Sequence, residues 1–351
     1  MEYIGKKGTH LPFSGSNYRN HLGPWVESLP VGDPNAANPC VALTIACLNN
    51  LVDNPFAGSI TDPNSTIGSN FDQISYQQLL LPFPQFTGVT TEPQMIGSSI
   101  YHGLQLLAEK RFSNGLQFLA TYTWSKSIDN SSQADDNVTW LGSFSGLQDP
   151  NKPWLERSLS TFDIPHVFQL SYSYDLPFGR GRAFLGNMPR WAELILGGWK
   201  TNGIWRIADG RPLAFDVEDG NPIPTYGTQR PNIVGTPKRN HGSDFVDQYF
   251  IGNTSDTHPT FVRPDDFTLG NAPRALGSVR SPWSFTADLS LGKQFYIREE
   301  MNFEVRLEAQ NALNHPVFGT PNTTVDNDNF GKIFYTSVGP RQVQLAFKFN
   351  F

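Results

Sequence analysis

Glu304, Arg306 and Glu308 alternate with apolar residues, so one face of a strand would carry two carboxylates around a guanidinium. Paired carboxylates are raw material for acid–base chemistry. With an arginine between them, the three could pair among themselves or touch a plug, and pairing is the plainer expectation. Other candidates fail on spacing. GRGRAFLG, from Gly179 to Gly186, lacks the Gly-Lys-Ser/Thr end of a phosphate loop and reads as a turn. DNDNFG, from Asp326, begins like a calcium loop, but its fifth position is Phe330 and its twelfth is Ser337, where an acid is needed. Asp135–Asp136 and Asp265–Asp266 read as solvated loop acids, with a weak surface cation site as the alternative. His166 and His315 stand beside strand ends or proline and read as turn residues. No Ser-His-Asp or Cys-His arrangement can be argued from spacing. The expectation is no enzyme, no cofactor and no metal. Cys40 and Cys47 read as a disulfide formed in an oxidising compartment, with two free thiols as the alternative.

The elements that must position these residues are strands of one style, each about ten residues long with one apolar and one polar face. Ile100–Phe112 is the first clear one. Ser113-Asn114-Gly115 then gives a hairpin turn into Leu116–Ser125, where Leu116, Phe118, Ala120, Tyr122 and Trp124 share a face and Leu119 breaks the pattern. His166–Leu176 and Trp199–Ile207 follow, then strands starting at Phe285 and Met301. The last is Gln342–Phe351, in which Val343, Leu345, Phe347, Phe349 and Phe351 alternate with Gln342, Gln344, Ala346, Lys348 and Asn350. Tyr3–Leu11 is a candidate eighth strand, and Met188–Gly198 the best helical candidate.

Composition agrees. Aromatics make up 13% and charged residues 17% of the chain, with 31 Gly and 27 Pro. High aromatic content with only 38% hydrophobic residues suits strands that are apolar on one side. The net charge of −6 comes with no basic run, so nucleic acid is not an expected partner. No apolar stretch is long enough to span a bilayer as a helix.

Short and long connections alternate, and the polar faces carry Lys200, Arg206, Glu304, Arg306, Glu308 and Lys348. These are marks of an all-β fold, an antiparallel transmembrane β-barrel in the bacterial outer membrane, meandering between short periplasmic turns and long extracellular loops. Its apolar face meets outer-membrane lipid, and the six charged residues face the lumen. Tyr122, Trp124, Tyr172, Tyr174 and Trp199 are expected in the aromatic girdles. The periplasmic turns are Ser113–Gly115, Ile297–Glu300 and the longer Pro177–Gly198. The extracellular loops are Lys126–Pro165, Ala208–Pro282 and Ala312–Pro340.

YHGLQLLAEKRFSNGLQFLATYTWSKSID resembles a signature segment of TonB-dependent receptors of the Oar-like group. FDIPHVFQLSYSYDLPFGRGR, GGWKTNGIWRIADGRPL and LEAQNALNHPVFGTP do so too, in the same order along the chain. The resemblance implies the C-terminal part of a large receptor barrel that imports a scarce, bulky ligand, with loops as the capture surface. It implies a closing strand read by the barrel-assembly machinery through Phe347, Phe349 and Phe351. It also implies plug-domain and TonB partners. Residues 1–351 are then a single partial barrel domain: 1–98 hold one strand and a long extracellular loop, and 99–351 hold about seven strands. A plug, a coupling box and a signal peptide are not expected within it. Two alternatives make different predictions. A small self-closed barrel, acting as an adhesin or structural protein, requires Tyr3–Leu11 to pair with Gln342–Phe351. A soluble secreted β-sandwich binding module requires apolar faces that pack on each other and long loops at both ends.

Overall fold

The computed structural model describes all residues except 14–19, 34, 39, 63–64, 66, 69–70, 87–88, 90–93, 132–146, 219, 221, 252–258 and 297–300. The expected turn Ile297–Glu300 and the acids Asp135–Asp136 lie outside the described residues. Eight long strands stand side by side in chain order: β1 (Glu2–Phe13), β2 (Gln94–Ser113), β3 (Leu116–Asp129), β4 (His166–Asp175), β5 (Trp199–Ala208), β6 (Ser284–Tyr296), β7 (Asn302–Gln310) and β8 (Gln342–Asn350). Every neighbouring pair is antiparallel. Ser158–Leu159 adds a short strand beside β3, making nine in the sheet.

Local chemistry explains the tightest hairpin. Asn114 and Gly115 take positive φ of 54° and 77°, the pair of left-handed residues that a type I′ turn demands. Two strand ends differ from the alternation. β2 begins at Gln94 rather than Ile100, and β3 continues to Asp129 rather than Ser125. Period-two patterning fades there because loops cover the sheet: Ser127 and Asp129 are buried and hydrogen-bonded rather than wet.

The strand order removes both alternative architectures. β1 pairs with β2, Glu2 opposite Gln105 and Phe13 opposite Gln94, not with β8. β1 and β8 are the two ends of the strand path, so the sheet is an open wall and not a self-closed barrel of eight. No second sheet covers the apolar face among the described residues. On β8, Val343 is 60%, Leu345 55% and Phe347 62% exposed. A contiguous apolar face of this kind marks a surface built for a non-aqueous neighbour.

The densest packing lies in the long connections at one end of the wall. One cluster joins Leu213, Phe215, Val217, Tyr249, Phe250, Phe261 and Val279 of the β5–β6 connection to Val325, Phe330 and Ile333 of the β7–β8 connection. A second joins Leu22, Val26, Ile45, Leu48 and Leu81 of the β1–β2 connection to Ile223 and Tyr226. The loops expected to be merely polar therefore fold into a cap with cores of its own. Two short helices, α1 (Ile45–Leu48) and α2 (Tyr76–Leu79), belong to this cap. At the opposite end, the Met188–Gly198 segment forms α3 (Arg190–Leu196).

Cys40 and Cys47 are joined by a disulfide that ties the chain to α1. A short loop gains little from cross-linking, so Cys40→Ser should lower the stability of the cap by only about 2 kcal/mol. Thermal unfolding of the variant against the parent protein measures this.

Candidate ligand-capture cap and lumen wall

The register carries one polar face unbroken across the wall. Glu304 stands opposite both Lys348 and Gln294, and Arg306 opposite Gly292, which in turn meets Lys200. Lys200 lies opposite Asp175, Arg206 opposite Gln169 and Thr286, and Glu308 opposite Gln344 and Ser290. All six charged candidates thus share a face. Arg306 bridges its neighbours, 2.9 Å from Glu304 and 3.0 Å from Glu308. A hydrogen-bonded trio in which one guanidinium bridges two carboxylates is a structural arrangement rather than an acid–base dyad.

The opposite face holds the aromatic candidates in two groups. Tyr122 and Trp124 sit toward the loop end of β3, opposite Phe168 and His166. Tyr172 and Tyr174 sit toward the short-turn end of β4, and Trp199 at that same end of β5. Gly203 lies opposite Tyr172, and a Cβ there would come within 2.4 Å of the tyrosine ring, so the glycine makes room for it. Of the two histidines expected in turns, His315 lies in the β7–β8 connection, bonded to Asn311, whereas His166 opens β4 and meets the Tyr122 hydroxyl at 2.7 Å on this face. His102 likewise meets the hydroxyl of Tyr3 at 2.5 Å. Phe347 stacks on Phe303 with centroids 5.9 Å apart, and Phe349 on Phe351 at 6.2 Å.

Buried ion pairs rivet the wall to the cap and one cap connection to another. Asp129, at the top of β3, accepts from Arg274 at 2.5 Å, and both side chains are almost fully buried. Asp163 accepts the Ser127 N–H at 2.6 Å and an Arg280 N–H at 2.7 Å. Glu156 pairs with Arg230, each only 2% exposed, and also accepts the Gln148 N–H at 3.1 Å. Burial pushes the Arg274 guanidinium below its ordinary pKa, with Asp129 opposing the shift. None of these arginines was a candidate from sequence. Their partners are distant along the chain, 145 residues apart for Arg274 and Asp129, so no local pattern marks them.

Directly beneath the cap, a cavity of about 330 Å³ opens on the polar face. Its lining joins Tyr101, Thr121, Thr123, Ser125, Gln169 and Phe162 to two aliphatic side chains and to the Asp163 carboxylate, which is already paired with Arg280. Hydroxyls, one amide and two rings suit a neutral polar solute better than an ion. Among the described residues, no cluster of three or more His, Cys, Asp or Glu could hold a metal ion.

Within the cap, Asp216 is the carboxylate most at odds with its surroundings. Its Oδ1 is buried without a hydrogen-bond partner among the described residues. Burial raises its pKa above 3.8, and Asp326 and Glu218 add to the shift against the hydrogen bond from Thr324. A raised folded pKa means the contribution to stability is full below the unfolded value and is lost as pH rises through the folded value. At neutral pH the Asp216 charge therefore works against the cap. Asp216→Asn should stabilise the cap at pH 7, on the order of 1 kcal/mol, and should flatten the loss of stability on raising pH from about 4. Unfolding midpoints of both proteins across that range decide the matter.

A family model described as "Outer membrane beta barrel domain" matches residues 1–344. No curated protein matches the chain, and no solved structure does.

Proposed function

The chain belongs to the outer membrane β-barrel domain family, and on that premise we propose that it is part of the wall of a TonB-dependent receptor that imports a ligand captured by its cap. The protein is a membrane-spanning antiparallel β-barrel protein of the bacterial outer membrane. In lipid, an unpaired sheet edge leaves backbone groups without partners. The outer edges of β1 and β8 therefore call for further strands, which makes the complete barrel wider than eight. Barrels of that greater size enclose a lumen that a plug can fill, whereas eight strands leave almost none.

The single observation that carries the reading is the folded cap over a polar wall. Long connections that bury aromatic cores and are pinned by buried ion pairs form a shaped surface, not floating loops. Beneath that surface the polar face descends toward the periplasm past the cavity at Thr121 and Gln169. The resemblance of four ordered segments to Oar-like receptors supports energy coupling. In this reading the chain is no enzyme, and its partners are lipid, the barrel-assembly machinery, a plug and TonB.

Two measurements on the native protein, taken from its own outer membrane, test the proposal. In planar bilayers with potassium chloride, a plugged receptor is electrically silent. In native membranes, cross-linking captures TonB. A steady open conductance together with no TonB adduct would replace the receptor with a passive pore.

A further inference from the structure

The β4–β5 connection carries a feature that neither uptake nor barrel closure uses. In α3, Trp191, Leu194 and Ile195 recur at helical spacing on one face and are 68, 60 and 60% exposed. Ala192, on the other side, is buried. Phe184 and Leu185, earlier in the same connection, are also more than half exposed. An apolar helix face left open in water would be a liability.

Lys293 determines which side of the wall α3 occupies. The register places Lys293 opposite Trp199 and Val305, in the apolar row of β6 with Leu291 and Phe295. Its ammonium donates to the carbonyls of Glu193 at 3.1 Å and Leu194 at 2.7 Å. It also sits 5.8 Å from the Trp199 ring centroid and 5.1 Å from that of Phe295. Trp199, from the same row, donates its Nε1–H to the Ile195 carbonyl at 2.8 Å. Two donors on the apolar face thus hold the last turn of α3, where the Glu193 carbonyl also accepts the Gly197 N–H and the helix carbonyls carry partial negative charge. The helix end in turn satisfies a cation that would be expensive against lipid. The C-terminal turn of α3 is therefore held from the apolar side of the wall at the short-turn end, while Glu193 and Leu194 also border a cavity that reaches Lys200, Glu304 and Arg306.

We propose that α3 is an interfacial anchor, its Trp191–Leu194–Ile195 face set in the boundary between headgroups and acyl chains of the periplasmic leaflet. Short turns of outer-membrane barrels face the periplasm, which assigns the leaflet. The occupant is phospholipid because the helix face continues the lipid-facing band of β5 and β6 through Trp199 and Phe295. Tryptophan at that level favours the interface, and an amphipathic helix lying in the interface plane is a known mode of membrane contact. The inference rests on membrane placement alone and stands whether or not uptake is energy-coupled.

The test uses the native protein reconstituted in vesicles of phosphatidylethanolamine and phosphatidylglycerol. With Cys40 and Cys47 bonded to each other, Ile195→Cys supplies a single thiol for an environment-sensitive fluorophore. Asn187→Cys, an exposed polar position in the same connection, is the control. The Ile195 label should be quenched by lipids bearing a nitroxide near the headgroup and shielded from iodide, and the Asn187 label should show the reverse. Lys293→Ala should release the helix and move the Ile195 label toward the iodide-accessible pattern. Iodide quenching of both labels alike would overturn the proposal, because the face would be in water. Shielding of the Ile195 label from both quenchers would overturn it as well, because protein would then cover the face.

Discussion

Glu156→Ala is expected to destabilise the cap by about 3–5 kcal/mol. Glu156 and Arg230 are each 2% exposed and paired with each other. Removing the carboxylate takes the Glu156 counter-charge from a buried guanidinium and costs the Gln148 N–H its acceptor. Either loss is severe in a low-dielectric site. The pair joins the β3–β4 connection to the β5–β6 connection, so the cap should loosen as a unit while the wall persists. Limited proteolysis of the native protein in detergent separates the two: the variant's loops should be cut at temperatures where the strands remain protected. Arg230→Met combined with Glu156→Leu should recover most of the loss, because an apolar pair of similar volume leaves no uncompensated charge. If the single variant's cap proves as resistant as the parent's, the pair is not holding the connections together.

Phe261→Ala should cost about as much, 3–5 kcal/mol by the usual range for a buried aromatic truncated to alanine. Phe261 is fully buried and stacks on Phe215 with centroids 4.5 Å apart. It also meets Phe250 at 6.2 Å and Phe330 at 5.7 Å. These four rings come from three parts of the β5–β6 connection and one part of the β7–β8 connection, so the substitution opens a cavity at the point where the connections meet. Phe261→Leu, which keeps much of the volume, should cost less than half as much. Equal effects of the two substitutions, read from thermal unfolding, would mean that the cluster is loosely packed.

How much of this was legible from sequence follows from the physics of each part. The wall was legible because lipid on one side and a polar interior on the other impose a strict period of two, and QVQLAFKFNF shows it without a break. The charged row from Lys200 to Lys348 followed from the same parity. The cap core was not legible: Phe215, Phe250, Phe261 and Phe330 sit singly among Pro, Gly, Asp and Asn, with no periodicity to join them. Only tertiary folding brings them together. The buried pairs Arg274–Asp129 and Arg230–Glu156 were hidden for the same reason. Lys293 offered a signal, a lysine in an apolar row flanked by Leu291 and Phe295. Its partner α3, within MPRWAELILGG, was expected as a helix, but nothing local tied it to Lys293, which lies about a hundred residues further along the chain.

The central claim is that the wall has a lipid face and a sheltered polar face. The most direct measurement is a nitroxide scan of β4 in lipid vesicles, one label at a time from Val167 to Tyr174. Accessibility to oxygen, which concentrates in lipid, is compared with that to a water-soluble nickel complex. The account predicts an oxygen-to-nickel ratio that peaks at Phe168, Leu170, Tyr172 and Tyr174 and falls at Gln169, Ser171 and Ser173. A ratio that is flat along the strand, or that peaks at the serines, would contradict it.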